Sequence, residues 1–312
     1  MTTPLAELHM HIEGSLEPPQ IFALAERNGI ALPYNDIDEL AARYEFTDLQ
    51  SFLDLYYANM SVLRTAEDFG DLARAYFRRA AAGGVTQAEI FFDPQAHTAR
   101  GVALEAVVEG LSDAVASSER EFGVKSGLIA SILRDEPVLH ANKLLDDLLA
   151  MQAPIIGLGL DSAEAGFPPS LFVDVFAKAR AEGLHVVAHA GEEGPAEYIW
   201  QALDLLGVER VDHGVRCLED DALVNRLVDE EIPLTVCPLS NVRLKVYEDL
   251  SEHPIRQMIE RGLIVTVNSD DPAYFGGYVD DNFAALETAL GLTAREREIL
   301  YDNSIKASFI GR

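Results

Sequence analysis

Only two cysteines, Cys217 and Cys237, occur in 312 residues, so the chain has no disulfide framework and no C-x-x-C metal knuckle. Cations are scarce as well: 24 Lys and Arg stand against 52 Asp and Glu, a formal charge of −28. Phosphate backbones need a basic footprint, so this balance argues against nucleic acid as a partner, and it disfavours anionic membranes. The acidic surplus reads as a strongly solvated surface. No apolar run approaches the ~18 residues of a membrane span. Met1-Thr2-Thr3-Pro4 carries no basic n-region and His9 arrives early, which is unlike a secretory leader; the expectation is a cytoplasmic protein.

Several catalytic signatures are missing too. The chain has no H-E-x-x-H of a zincin protease and no H-x-E with P-C-x-x-C of a cytidine-type deaminase. Gly157-Leu158-Gly159-Leu160-Asp161-Ser162 lacks the third glycine of a dinucleotide loop and lies mid-chain, so its glycines read as structural.

Short apolar runs recur between amphipathic segments. Strands are expected near Leu5–Ile12, Gln87–Phe92, Gly127–Ile132, Ile155–Leu160, His185–Ala190, Arg210–His213, Pro233–Cys237 and Leu263–Asn268. Helical periodicity fills the intervals, as over Leu104–Phe122, Pro137–Met151, Ser170–Glu182 and Glu219–Glu230. Eight strands alternating with helices predict an α/β protein, a (β/α)8 TIM barrel. The interval at about 13–86 is long and holds four helical stretches, near Pro19–Asn28, Ile37–Tyr44, Leu49–Leu63 and Thr65–Ala82. It reads as a helical lid inserted after strand 1 of a single hydrolase domain spanning 1–312.

His9 and His11 lie two residues apart on strand 1 and so share one face. His189 ends strand 5, His213 strand 6, and Asp270 strand 8. Active sites of such barrels gather at the C-terminal ends of strands, so all five converge. Three imidazoles and a carboxylate, His9, His11, His189 and Asp270, suit one zinc ion per chain; iron is left open. Bound zinc lowers the pKa of water from ~15.7 to ~7. Asp270 and His213 are candidates to take or steer the proton, and Glu192, three residues past His189, is a candidate acid/base. Among the remaining histidines, His97 is a candidate to line the pocket. His185 is expected to pack toward the barrel bottom, and His140 and His253 to be solvated or locally bonded.

With these residues the chain resembles the adenosine/adenine deaminase family of the amidohydrolase barrels. The likeness runs from Leu8 to about Ala307 through H-M-H-I-E-G-S-L, H-A-G-E, D-H-G, C-P-L-S-N and N-S-D-D-P in the family's order. It implies the same four metal ligands, Glu192 as general acid, His213 as essential histidine, and Asp271 as partner of purine N7. It further implies that Ser162 or its backbone N–H meets purine N3. Two features resemble enzymes acting on the free base: Glu13 where nucleoside enzymes carry Asp, and the long turn Asp161–Pro169. Glu13 is expected at the rim where a ribose would project, with the turn crowding the same side. The implied activity is hydrolytic deamination of adenine to hypoxanthine and ammonia. Adenosine and N6-substituted adenines remain alternatives, and a non-catalytic purine-binding relative is a remote one. The expected partner is a small purine; a homo-oligomer is left open.

Overall fold

The structure, a computed structural model, describes residues 4–310; Met1–Thr3, where the leader question was posed, lie outside them. Eight apolar runs become strands: β1 Leu5–His11, β2 Val85–Phe92, β3 Lys125–Leu133, β4 Ile155–Asp161, β5 His185–Ala190, β6 Arg210–His213, β7 Leu234–Val236 and β8 Val265–Val267. Each pairs in parallel with the next, the order of a (β/α)8 barrel. The last two strands are shorter than expected. Pro238 starts a helix straight after Cys237, and beyond Asn268, whose N–H still donates to Val236 O, Ser269 and Asp270 turn to β1.

That meeting closes the barrel. Asp270 N–H donates to His9 O and His11 N–H to Asp270 O, both at 3.0 Å. Just below, the Glu7 carboxyl accepts the N–H and hydroxyl of Ser269, and Leu8 N–H donates to Asn268 Oδ1.

The long interval after β1 holds α1 Pro18–Asn28, α2 Ile37–Ala41, α3 Leu49–Asn59 and α4 Ala66–Ala82. Local sequence sets their starts: Asp36 caps α2, and capping boxes Asp48/Ser51 and Thr65/Asp68 open α3 and α4. The apolar face of α3 lies over the barrel mouth. Leu49, Phe52, Leu53 and Tyr56 join Phe46, Leu244, Tyr274 and Phe275 in one apolar layer, with Phe52 and Phe275 ring centroids 4.6 Å apart. The insertion therefore roofs the mouth.

After β2 come α5 Pro94–Thr98 and α6 Leu104–Phe122. Val107, Val108, Leu111 and Ala114 of α6 are buried, a helical stripe facing inward. At the opposite end, Arg210 pairs with Glu89 at 2.6 Å, both fully buried. Glu89 Oε1 also accepts the N–H groups of Phe309 and Ile310 and the Ser308 hydroxyl. The Phe309 ring lies against the Arg210 guanidinium at 4.6 Å and stacks on His185 at 4.1 Å. His185 is thus bottom-facing as expected, but partly exposed and bonded to Glu209 at 2.9 Å. His253 is buried and bonded to Asn241.

α4 and α6 pack tightly at Gly110, where a Cβ would come within 2.1 Å of the Ala66 carbonyl oxygen and 2.8 Å of Phe69 Cβ. Gly110→Ala would gain about 1 kcal/mol of helix propensity. Overpacking against backbone costs about 1–3 kcal/mol or more, so the net is destabilising. Thermal denaturation should show a lowered Tm, with kinetic constants of the folded fraction unchanged; an unchanged or raised Tm contradicts this packing.

Candidate metal centre and active site

The strand ends deliver His9, His11, His189 and Asp270 to one buried cluster. His9 Nδ1 faces Thr235 Oγ1 at 3.0 Å and Thr235 O at 3.2 Å, leaving Nε2 without a hydrogen-bond partner. His189 Nδ1 donates to Leu160 O at 3.1 Å, which turns its Nε2 lone pair inward. His11 Nε2 and His189 Nε2 stand 3.2 Å apart. Asp270 Oδ1 is 3.4 Å from His9 Nε2 and 3.6 Å from His11 Nε2. Bonds of ~2.0–2.1 Å to a tetrahedral ion span about 3.3 Å between ligand atoms, so these donors fit a zinc-sized cation.

Burial drops His11 to about 3 and holds His189 well below the ordinary imidazole range. Burial also lowers His9, but adjacent Asp270 more than restores it. For Asp270 burial alone would raise the carboxyl, yet His9, His213 and His11 hold it well below the usual range. An ionised carboxylate among mainly neutral imidazoles is the state that metal binding requires.

Beside this cluster Glu192 is buried, its Oε2 3.5 Å from His213 Nε2, which lies 3.7 Å from Asp270 Oδ2. Burial, then Asp270, Glu164 and Glu193, push the Glu192 carboxyl well above the usual range. That direction favours the protonated form. Burial, then His9, lowers His213 to about 3, so its ring is neutral and can accept a proton. Asp271 is likewise raised by burial and by Asp270, and its Oδ1 is unpartnered. Three of these positions are backbone-strained: Ser162, His213 and Asp270 have φ of 68°, 61° and 62°, a left-handed conformation costing ~1–2 kcal/mol each. They close β4, β6 and β8, and the bend carries each chain away from its strand at the mouth.

The groups line a small cavity beneath α3. His11, His189, Glu192, His213, Asp270, Asp271 and Ser162 border it, with Leu49, Phe52, Tyr56 and Phe275 as the apolar wall. Among the described residues lining it there is no Lys or Arg, so nothing compensates a phosphate. Asp93 and Asp161 also border it, with Asp93 near Tyr56 Oη at 3.5 Å. Both carboxyls are raised well above the usual range, by burial and then by each neighbouring acid.

Two expectations need correction. Glu13 is not at a rim: it is fully buried, its Oε1 accepting Asp93 N–H at 3.1 Å and meeting His97 Nε2 at 2.7 Å, and it does not border the cavity. The reason is the one-turn 3-10 helix Glu13–Ser15, which turns the chain under the floor. His97 is consequently not a lining residue but the partner of Glu13, held on its other nitrogen by Arg100. Of the turn Asp161–Pro169, Asp161 and Ser162 border the cavity and Ala163 packs against the apolar layer over the mouth, while Glu164 reaches the segment after β5. Ser162 Oγ bonds Tyr57 Oη of the lid at 3.0 Å. Asp93 and Asp161, overlooked as side chains, end β2 and β4 and were legible by the strand-end rule; Glu164 and Arg134, described below, had no motif to flag them.

The adenosine deaminase family matches residues 4–312. The chain is similar to an adenine deaminase of Ectopseudomonas mendocina, 57% identical, with 97% of this chain and 96% of the relative covered. It is similar in structure to an adenine deaminase from Arthrobacter aurescens, with TM-score 0.99 and 62% identity over 99% of this chain and 95% of the other. An amidohydrolase from Burkholderia ambifaria with bound zinc matches at TM-score 0.90 and 29% identity, covering 98% and 86% of the two chains.

His189→Ala removes one donor of the cluster and should lose the metal, read by elemental analysis of the purified protein. His185→Ala, at the other end of the same strand, should retain it. Metal held equally by both variants would reject the four-residue set.

Proposed function

The chain belongs to the adenosine deaminase family, and from that premise we propose that it hydrolyses adenine to hypoxanthine and ammonia using one zinc ion held by His9, His11, His189 and Asp270. The observation that carries the reading is Glu192, buried beside the four-donor cluster on a cavity whose described lining carries no Lys or Arg. Relatives named adenine deaminase at 57% and 62% identity, covering nearly the whole chain, support the substrate. The zinc-bound amidohydrolase supports the metal.

When bound, the zinc ion supplies water activated at neutral pH. The chain's own residues do the rest. Adenine C6 is a poor electrophile until N1 is protonated, and Glu192 donates that proton as general acid. His213, within 3.5 Å of Glu192 Oε2 and 3.7 Å of Asp270 Oδ2, orients the attacking water and with Asp270 receives its proton. The C6–O bond forms, that proton passes to the amino nitrogen, the C6–N bond breaks and ammonia leaves. The remaining water proton returns to Glu192, so hypoxanthine keeps its N1–H and the acid is restored.

Asp271, whose carboxyl burial pushes toward the protonated form, donates to N7. The Ser162 hydroxyl is engaged by Tyr57, leaving the backbone N–H of 162 to meet N3. Glu13 contributes from beneath, by fixing the Asp93 backbone, rather than by contact with a sugar. The roof of α3 and the absence of a phosphate partner in the wall favour a small uncharged base over nucleotides.

Glu192→Gln should keep the metal and lose at least ~10²-fold in turnover; near-normal turnover would remove Glu192 from the acid role. In an ammonia-release assay adenine should exceed adenosine in kcat/KM by more than ~200-fold, the upper limit for a single-methylene steric effect. Comparable efficiency on both would overturn adenine as the substrate while leaving the deaminase chemistry intact.

A further inference from the structure

Glu164 lies in the turn after β4, outside the cavity wall, and is 1% exposed. Four consecutive backbone N–H groups of the segment after β5 converge on its carboxylate. Gly191 donates to Oε1 at 2.7 Å; Glu192, Glu193 and Gly194 donate to Oε2 at 3.1, 2.9 and 2.7 Å. Successive N–H groups curved around one anion form a nest, and bonds to an ionised acceptor are roughly twice as strong as neutral ones. The approach is so close that a Cβ on residue 194 would stand 2.5 Å from Oε1, which explains the glycine there. The same turn is tied to β5 a second time: buried Arg134 donates to Phe167 O at 2.8 Å and to His189 O at 2.7 Å.

We propose that Glu164 is a positioning residue, an internal anion around which the Gly191–Gly194 segment is folded so that the Glu192 side chain faces the cavity. Without it three buried donors and the part-buried Glu193 N–H lose their partner, and the segment must open or turn to find one. A shift of about 1 Å in the acid is enough to cost ~10²-fold in rate. The long turn after β4 therefore serves the acid. This inference rests on Glu192 being the acid.

The test is Glu164→Gln, in which a side-chain NH2 replaces one of the accepting oxygens and opposes the N–H groups. Expected are unchanged metal content, a KM within about threefold, and kcat on adenine lowered ~10- to 100-fold. Hydrogen exchange at residues 191–194 should accelerate, a readout that needs no substrate and so separates a failed positioning role from a failed substrate assignment. In the Glu192→Gln background the same change should cost less than about twofold, because an effect transmitted through Glu192 vanishes with it. Unchanged exchange, unchanged kcat, loss of metal, or a full loss repeated in the Glu192→Gln background would each overturn the proposal. Should Glu164→Gln not fold, Glu164→Asp, which keeps the charge but retracts it, is judged by the same criteria.

Discussion

Two backbone hydrogen bonds hold the rest of this molecule to its purpose: those that join Asp270 to the carbonyl of His9 and the amide of His11. They are the seam where the eighth strand meets the first. The residues forming the seam are also candidate ligands, so closing the barrel and gathering the metal donors are one event. Slipping the seam by a single residue would turn His9 and His11 to the other face of β1. Glu7 and Asn268 pin the register just below, by bonds to Ser269 and Leu8. The chain thus joins its first and eighth strands where error is least tolerable.

The second organising constraint is how burial sorts carboxyl groups. Asp270 sits among three imidazoles and stays ionised, while Glu192, Asp271, Asp93 and Asp161, lacking a cation, are driven toward the protonated form. Side chains of one chemical kind are pushed in opposite directions of protonation by their surroundings alone. A formal net charge of −28 for the whole chain gives no hint of this; the interior decides it locally. The described lining of the cavity is accordingly rich in carboxyl groups and carries no Lys or Arg.

Much of this was legible before any coordinates. Strand runs and helical periodicity gave the barrel and its roof because period and length are local properties of a sequence. His9, His11, His189, His213 and Asp270 were legible because the fold places strand ends together. Glu13 and His97 were misjudged because a one-turn 3-10 helix redirects the chain under the cavity, a change of direction with no compositional mark. Glu164 and Arg134 were invisible for another reason: their partners are backbone atoms, and a backbone amide leaves no letter in the sequence. The turn 161–169 looked like bulk at the mouth, whereas beyond Ala163 its carboxylate is bound by the loop after β5 and its Phe167 carbonyl by Arg134.

The left-handed residues closing β4, β6 and β8 carry a consequence for how such a protein changes over generations. At Ser162, His213 and Asp270 a glycine would relax the backbone, yet two of the three side chains are needed at the mouth and the third is bound to the roof. Heat resistance and turnover therefore pull in opposite directions at these positions. A population selected for robustness alone would drift toward glycine there and keep an intact, inert barrel. One selected for turnover must carry the strain and compensate elsewhere, in the apolar layers where volume is negotiable.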